Sequence, residues 1–271
     1  MSVTTPQEFR SPVPLPPIPD DLTIPQFMLK HQYFLKPARP RNVPWLIEDR
    51  TGRAIHTEEV LQRTHRLANA LSSKWNIGEN DVVCIFSPNH VDYPISIWAI
   101  HSLGAVVTPA NPSYTVAELV FQLQTSRANL IFTHLEFVKT AVTAAQEIGI
   151  PQDRIVILPA TGGKQTTGDA IIGISIEELI SSAKSTSFKE YQLKPGQAKT
   201  KLAFLSFSSG TTGKPKAVMI PHFSVISNIV QTAVHFKFGD HTTNKMFTPG
   251  DVSIGGRLVF FHLERQVLIQ M

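Results

Sequence analysis

The sequence predicts an α/β fold, built as a parallel sheet with helices on both faces. The first observation is that short apolar runs alternate along the chain with segments whose apolar residues keep helical spacing. The second is that 42% of the 271 residues are hydrophobic, which suffices for a sizeable core in one large domain or two small ones. No Gly-x-Gly-x-x-Gly fingerprint follows a predicted strand, so a dinucleotide-binding version of the fold is not indicated.

The N-terminal segment is rich in proline. Residues 12–25 carry six prolines. We therefore predict that residues 1–23 form an extended arm without regular structure. Residues 24–36 are predicted to form one short helix.

Helices and strands then alternate as far as residue 158. The first helix is predicted to begin at Thr57, because Glu58 and Glu59 favour the positive end of a helix, and to stop at Gly78. Further helices are predicted from about Val91 to Ser102, from the capping box Thr115–Glu118 onward, and from about Glu136 to Glu147. The predicted strands are Val82–Ser87, Ala105–Thr108, Asn129–Thr133 and Arg154–Leu158.

The segment 159–200 is polar and rich in Gly, Ser, Thr and Lys. One short helix is predicted inside it, capped by Ser175 and Glu178. The rest is expected to be a mobile surface segment and the boundary between two subdomains. The predicted division is a first α/β subdomain over 24–200 and an incomplete second subdomain over 201–271, whose helix runs from about Phe223 to Phe236.

The stretch Ser208–Lys216 has the composition of a phosphate-binding loop. Four hydroxyls, two glycines and two lysines fall in these nine residues, between apolar runs at 202–207 and 217–220. Glycine leaves backbone N–H groups free to line a concave turn, hydroxyls add donors, and lysines add positive charge, which together suit a polyphosphate. We predict a strand, a glycine-rich turn and a second strand that start a second sheet; the alternative is a polar hairpin that binds no ligand.

This stretch is not a Walker A loop. That pattern needs glycine five positions before its Gly-Lys pair, and Ser or Thr after the lysine. Ser208 and Pro215 occupy these two places. Because proline does not fit inside a helix, the strand-to-helix geometry of a P-loop is not expected here.

The same residues resemble the phosphate-binding loop of the adenylate-forming (AMP-binding) superfamily, which includes acyl-CoA synthetases and 4-coumarate–CoA ligases. The match to Ser-Ser-Gly-Thr-Thr-Gly-x-Pro-Lys is nearly complete, with Ala217 in place of the glycine that usually follows. Three further stretches look like segments of this family, namely 103–112, Pro221-His222 and Phe260-Phe261-His262. The resemblance implies a 4-coumarate–CoA ligase-like acyl-CoA synthetase, of which this chain is the N-terminal part.

The resemblance also implies a nucleotide site in which the loop cradles the β- and γ-phosphates of ATP. Lys216 would offset their charge, whereas Lys214 fills a variable position, and His262 would lie beside the acyl substrate. The residues of the cradle would be Ser208, Ser209, Gly210, Thr211 and Thr212.

The likeness stops after His262. Residues 263–266 read Leu-Glu-Arg-Gln where the family continues with Ile-Tyr-Gly-Leu. The adenine-contacting motif, the ribose-binding aspartate and the C-terminal domain with its catalytic lysine are not found, so the catalytic residue is unknown. We therefore expect a truncated adenylate-forming N-terminal domain that is inactive alone.

The activity implied by the family is activation of an aryl or fatty acid by ATP, followed by transfer of the acyl group to coenzyme A. Mg²⁺ would bridge phosphate oxygens, and catalysis would rest on positioning and charge stabilisation. A non-catalytic nucleotide-binding fragment or pseudoenzyme is the alternative. A serine hydrolase is not indicated, because no Gly-x-Ser-x-Gly occurs.

Composition argues against several other classes. Cys84 is the only cysteine, which excludes intramolecular disulfides and cysteine-based zinc sites, and its apolar neighbours predict that it is buried. The net charge is +4 without a basic run interleaved with aromatics, so nucleic-acid binding is not indicated. Without a visible signal peptide or apolar span, we expect an intracellular protein, cytoplasmic or peroxisomal. The sequence does not indicate an oligomeric state.

Overall fold

A computed structural model of the chain describes residues 13–35, 42–160, 173–183, 188–208 and 215–236, and the backbone of two strands beyond them. The α-helices are α1 (Thr57–Trp75), α2 (Asp92–Ser102), α3 (Val116–Ser126), α4 (Val138–Ile148), α5 (Ile176–Ser181) and α6 (His222–His235). The strands are β1 (Leu46–Glu48), β2 (Ala54–Ile55), β3 (Val82–Phe86), β4 (Val106–Ala110), β5 (Leu130–His134), β6 (Ile155–Leu158), β7 (Ile174–Ser175), β8 (Leu202–Ser208), β9 (Lys216–Pro221), β10 (Val252–Ile254) and β11 (Val267–Gln270).

The main sheet has seven strands in the order β7-β6-β5-β3-β4-β8-β9. Neighbouring strands from β7 to β8 are parallel, and β9 alone runs antiparallel, against β8. The predicted parallel sheet is therefore confirmed, with strand ends shifted by one or two residues. The prediction of a second sheet for the phosphate loop is wrong, because β8 pairs with β4 and so extends the first sheet. A division into subdomains near residue 200 stays a prediction.

Helices cover both faces of this sheet, as predicted. Residues of α1, α2, α5 and α6 pack in one hydrophobic cluster, and residues of α3 and α4 pack in another. The central strand β3 contributes alternately, since Val83 and Ile85 belong to the first cluster and Val82, Cys84 and Phe86 to the second. Cys84 is fully buried as expected, and burial raises the pKa of its thiol, so it serves as a small apolar core residue.

Three predicted helix starts are confirmed, two of them with the predicted capping boxes. α1 begins at Thr57, and Thr115 caps α3 through a reciprocal capping box with Glu118. Ser175 and Glu178 form a second capping box at the start of α5. Each box satisfies backbone N–H groups that would otherwise lack partners at a helix start.

Three helices on one face are joined by a buried ion-pair group. Arg63 of α1 donates from Nε and Nη2 to Asp92 Oδ1 at 3.0 and 2.7 Å, and from Nη1 and Nη2 to the Glu177 carboxylate at 3.0 and 2.6 Å. Arg63 and Asp92 are both buried. Removing Arg63 would leave the buried Asp92 carboxylate without its ion-pair partner on α1, so this group helps to fix how α1, α2 and α5 pack.

The N-terminal segment differs in part from its prediction. Residues 13–23 have no regular structure, as expected, but the helix expected over 24–36 extends only over 24–30, and its last five residues, Gln26–Lys30, are π-helical. It closes with a hydrogen bond from the His31 N–H to Gln26 O at 2.8 Å. A small sheet that the sequence did not predict has the order β10-β11-β1-β2 and pairs all its strands antiparallel.

Residues 188–200 are mostly exposed at the surface, as expected, and backbone hydrogen bonds attach two of them to other segments, while the expected mobility stays a prediction. Tyr191 N–H donates to Ser102 O at 2.8 Å, and Ala198 N–H donates to Asp20 O at 2.9 Å. The Tyr191 ring lies over the backbone at Gly104, where φ is +73°, and a Cβ placed there would stand 2.7 Å from ring carbons. Only glycine therefore fits the turn between α2 and β4.

The described helices include none that is long and apolar enough to cross a bilayer.

Replacing Gly104 with alanine should cost more stability than the same change at Gly149. Both glycines have positive φ, at +73° and +77°, and each substitution carries the backbone cost of about 1–2 kcal/mol. Gly149 has no atom within 4 Å of an added Cβ, whereas Gly104 meets the Tyr191 ring. Overpacking adds about 1–3 kcal/mol for Gly104→Ala. Urea unfolding of both variants measures the difference, and equal losses would show that the ring contact is not restrictive.

Candidate phosphate-binding site

The predicted phosphate loop is closed by the hairpin of β8 and β9. The two strands are antiparallel, and Ser208 at the end of β8 is paired with Lys216 at the start of β9. The prediction of strand, turn and strand is therefore confirmed at both ends of the loop, since β9 begins where a P-loop would have its helix. Both paired residues are exposed at the mouth of the hairpin.

Only two of the predicted nucleotide-binding residues, Ser208 and Lys216, belong to the part of the chain that the structure describes. The predicted cradle residues outside the described part are Ser209, Gly210, Thr211 and Thr212. The predicted substrate residue His262 also lies outside it, so its role stays a prediction.

The hairpin opens at an edge of the sheet where ligands commonly bind in α/β proteins. Because β8 is parallel to β4, Ser208 lies at the same edge as the carboxyl ends of β3, β4 and β5. The chain leaves β3 toward α2 on one face of the sheet and leaves β4 toward α3 on the other face. Connections that diverge in this way open a crevice at the carboxyl ends of the strands.

Of the two lysines in the predicted loop, Lys216 is the one that the structure describes, and it lies where β9 begins. Within the described residues, no carboxylate forms an ion pair with its ammonium group. Two other lysines, Lys199 and Lys201, precede β8 and so lie at its opposite end, where Lys199 Nζ is 2.8 Å from Asp20 and Lys201 Nζ is 3.1 Å from Glu79. Among the described lysines, Lys216 is therefore the one that this hairpin places at the carboxyl edge, and its charge could bind an anion there.

Two histidines at the carboxyl edge are structural rather than free bases. His90 follows β3 and accepts from the Asp92 N–H through Nδ1, so its Nε2–H donates to Pro159 O at 3.1 Å. His134 accepts from the Glu136 N–H at 3.3 Å. Burial lowers the pKa of both imidazoles, which keeps them neutral at physiological pH. They hold the loops after β3, β5 and β6 in place.

The Pro221-His222 pair after the hairpin is also structural. The ring Nδ1 of His222 accepts from the Ile24 N–H at 3.1 Å, and the backbone N–H of His222 donates to Lys201 O at 3.0 Å. His222 therefore ties the exit of the hairpin to the N-terminal segment. Its ring lies edge-on to that of His101, with centroids 4.9 Å apart, and His101 donates from Nε2 to Ala203 O at 2.9 Å.

Both of these rings are buried as neutral groups. Burial, with smaller contributions from the charges of His101 and Lys201, lowers the pKa of His222 to about 2. Burial lowers the pKa of His101 to about 4. His101 lies within an apolar run of the sequence, and its position facing β8 could not be read from that run.

Side chains that the sequence did not single out attach β8 to β4. Thr108 Oγ donates to Leu205 O at 2.9 Å, and Gln122 Nε2 donates to Thr108 Oγ at 2.8 Å. The sequence feature that could have indicated this attachment is Pro109, because a proline inside a strand has no N–H for backbone pairing.

In the described residues, no group of three or more His, Cys, Asp or Glu side chains is arranged to hold a metal ion.

The fold and the hairpin define an α/β protein whose predicted phosphate loop begins at the carboxyl edge of its sheet. The pattern of the AMP-binding enzyme family matches residues 36–263, and the chain belongs to this family.

Similar proteins carry related names. The acyl-CoA ligase AFT1-1 of Alternaria alternata is 34% identical over 240 residues, covering 85% of this chain and 41% of the relative. The 4-coumarate–CoA ligase-like 1 of Arabidopsis thaliana is 32% identical over 257 residues, covering 94% of this chain and 41% of the relative. The crystal structure of the anthranilate CoA ligase AuaEII with anthranoyl-AMP matches 76% of this chain and 36% of its own with a TM-score of 0.60 at 20% identity, which supports the fold. The chain thus spans about two fifths of the length of these curated relatives.

The buried histidines predict that stability falls as the pH drops below 6.5. His101 and His222 stay neutral in the folded protein but bind protons in the unfolded chain below their ordinary pKa of 6.5. Their contribution to the free energy of unfolding is therefore complete above pH 6.5. It is lost as the pH falls toward the pKa values that the two histidines have in the folded protein. Each contributes a slope of about 1.4 kcal/mol per pH unit in that window.

Urea unfolding between about pH 7.5 and pH 5 measures this slope, since the lowered carboxylate pKa values place their own losses at more acidic pH. The His222→Asn variant is the control, because an amide oxygen can replace Nδ1 as the acceptor for the Ile24 N–H without titrating. Its slope should be shallower than that of the wild type. An unchanged slope would contradict the assignment to His222.

Proposed function

We propose that this chain carries the phosphate-binding part of an acyl-CoA ligase. The observation that supports this most is the hairpin of β8 and β9, which sets Ser208 opposite Lys216 at the carboxyl edge of the sheet. The names of relatives agree with this proposal, since several are named acyl-CoA ligase or 4-coumarate–CoA ligase. The activity of the whole protein is part of the proposal, because the chain spans only about two fifths of these relatives.

The reaction would have two steps. A carboxylate oxygen of the substrate attacks the α-phosphorus of ATP, and the bond from that phosphorus to the bridging oxygen breaks, which releases pyrophosphate and leaves acyl-AMP. The thiol of coenzyme A then attacks the acyl carbon, loses its proton and displaces AMP. Because a carboxylate is already a nucleophile, the protein has mainly to align the reactants and stabilise charge on the phosphates.

The residues of the hairpin suit this task. The hydroxyl of Ser208 and the ammonium group of Lys216 are both exposed where the strands meet the loop. Residues 209–212 would complete the cradle with hydroxyl and backbone N–H donors to the β- and γ-phosphates. Mg²⁺ bound with the nucleotide would supply further positive charge at the phosphates, and most of its ligands would come from the nucleotide and water rather than from this chain.

The substrate we propose is an aryl or fatty carboxylic acid. One solved relative is described as bound to anthranoyl-AMP, and others are named for 4-coumarate or a long-chain fatty acid. His262 is proposed to lie beside the acyl group. An intracellular location, cytoplasmic or peroxisomal, belongs to the same proposal because ATP and coenzyme A are the cosubstrates.

A second candidate is a nucleotide-binding chain without catalytic activity. It differs from the first in that the described residues of the site, Ser208 and Lys216, can hold phosphate, while none of them is assigned a catalytic role. Binding of MgATP without release of pyrophosphate, in the presence of a panel of acids, would support this candidate over the ligase.

Replacing Lys216 with alanine should weaken ATP binding in the full-length protein. Loss of a charge-assisted hydrogen bond to phosphate costs about 1–3 kcal/mol. The matched control is Lys214→Ala, which removes a lysine from the variable position of the same loop and should cost much less. Calorimetric titration with MgATP measures both, and equal losses would exclude Lys216 as the contacting lysine.

The 271-residue chain by itself should form no detectable acyl-AMP. The loop fixes the outer phosphates but does not orient the α-phosphorus, and a misplacement of about 1 Å costs on the order of a hundredfold in rate. The test supplies ATP, Mg²⁺ and a panel of aryl and fatty acids, and detects adenylate by mass spectrometry. A full-length relative is the positive control. Adenylate above background from a monodisperse sample would contradict this expectation.

A further inference from the structure

The junction between β4 and β8 is unusual in its backbone pairing. The two strands are in register at one position, Val107 opposite Phe204, whereas β3 and β4 pair along five positions. Pro109 follows two residues after Val107 and has no N–H to donate. The backbone pairing between β8 and β4 is therefore short.

Two buried side chains provide a connection at this point. Gln122 of α3 donates from Nε2 to Thr108 Oγ at 2.8 Å and to Pro109 O at 3.0 Å. Thr108 in turn donates from its hydroxyl to Leu205 O at 2.9 Å. The direction of this chain of bonds is fixed, because Pro109 O can only accept and so requires the amide nitrogen of Gln122 beside it.

Burial makes these bonds matter more than surface hydrogen bonds would. Thr108 is 0% exposed and Gln122 is 1% exposed. The Oε1 atom of Gln122 has no partner among the described residues. The amide of Gln122 therefore acts here through its two Nε2 N–H donors and not through its oxygen. A second contact supports the same attachment, because the ring of Phe121 on α3 lies edge-on to that of Phe207 on β8, with centroids 6.3 Å apart.

The connection ends close to the phosphate-binding hairpin. Leu205 precedes Ser208 by three residues on the same strand. On the other side of β8 lies β9, the edge strand of the sheet, which exposes Val218 and Met219. Within the described sheet, β4 is therefore the strand through which the hairpin is attached.

We propose that Thr108 and Gln122 are positioning residues that set the place of the hairpin relative to the sheet. They act through Leu205 and make no contact with nucleotide themselves. The inference rests on the proposed function insofar as the hairpin holds phosphate, but the attachment of β8 can be tested without any ligand.

The test compares three variants in the 271-residue chain. Thr108→Val removes the hydroxyl at nearly constant volume, and Thr108→Ser keeps it. The matched control is Thr133→Val on β5, since Thr133 is also 0% exposed but its hydroxyl donates only to the adjacent His134 O, at 3.3 Å. A general loss of stability from burying valine would appear in both valine variants.

The first measurement is amide hydrogen exchange, resolved by strand. Thr108→Val should speed exchange in β8 by about tenfold relative to β3, since one buried hydrogen bond is lost on that strand. Thr108→Ser should restore the wild-type rates, and Thr133→Val should leave the ratio of β8 to β3 unchanged. Unchanged β8 exchange in Thr108→Val, or equal effects in the two valine variants, would overturn the inference.

The second measurement is binding of inorganic triphosphate with Mg²⁺. Thr108→Val should weaken it about tenfold and Thr133→Val less than about twofold, with Thr108→Ser close to wild type. If the wild type binds no triphosphate while β8 exchange changes as expected, the proposed function fails and the attachment stands. If the wild type binds and Thr108→Val binds equally well, the positioning role is wrong and the proposed function stands.

Discussion

The burial of β3 on both faces is the constraint on which the rest of the structure depends. This strand lies in the middle of the seven, and successive side chains enter opposite hydrophobic clusters. A parallel strand in this position needs helices above and below it, so the chain must send α2 to one face and α3 to the other. The crevice at the carboxyl edge follows from that divergence, and the hairpin of β8 and β9 opens beside it.

Buried polar groups then fix how distant segments meet around this sheet. Arg63 joins three helices through Asp92 and Glu177, while His222 joins the hairpin exit to the N-terminal segment. The bonds that these buried groups make are costly to lose, so they favour one arrangement of the helices and strands. Thr108 belongs to the same class, and it lies where the backbone pairing is sparse.

Local features of the sequence predicted much of this fold. Apolar runs placed the four central strands, and the pairs Thr115–Glu118 and Ser175–Glu178 predicted two helix starts, because caps and periodicity are properties of neighbouring residues. The sheet to which β8 belongs could not be predicted in this way. Its partner β4 is about a hundred residues away, and the bond from Thr108 to Leu205 exists only after both strands are placed.

The candidate site was predictable from composition for the same local reason. Nine consecutive residues combine glycines, hydroxyls and lysines, so the chemistry of the loop is visible in the sequence. That Ser208 faces Lys216 across a hairpin follows from the register of two strands, which the turn sequence did not specify. The neutral, structural state of His101 and His222 was likewise hidden, since it arises from burial by segments far apart in the chain.

The central claim is that Lys216 lies beside the phosphates of a bound nucleotide. An acyl-phosphate derivative of ATP tests it directly, because a lysine amine close to the phosphates attacks the acyl carbon, keeps the acyl label and releases ATP. Peptide mapping by mass spectrometry should find the label on Lys216 and should find it suppressed by excess MgATP. Absence of label on Lys216, or label on Lys216 at a level that MgATP does not change, as expected for an exposed lysine such as Lys74, would contradict the claim.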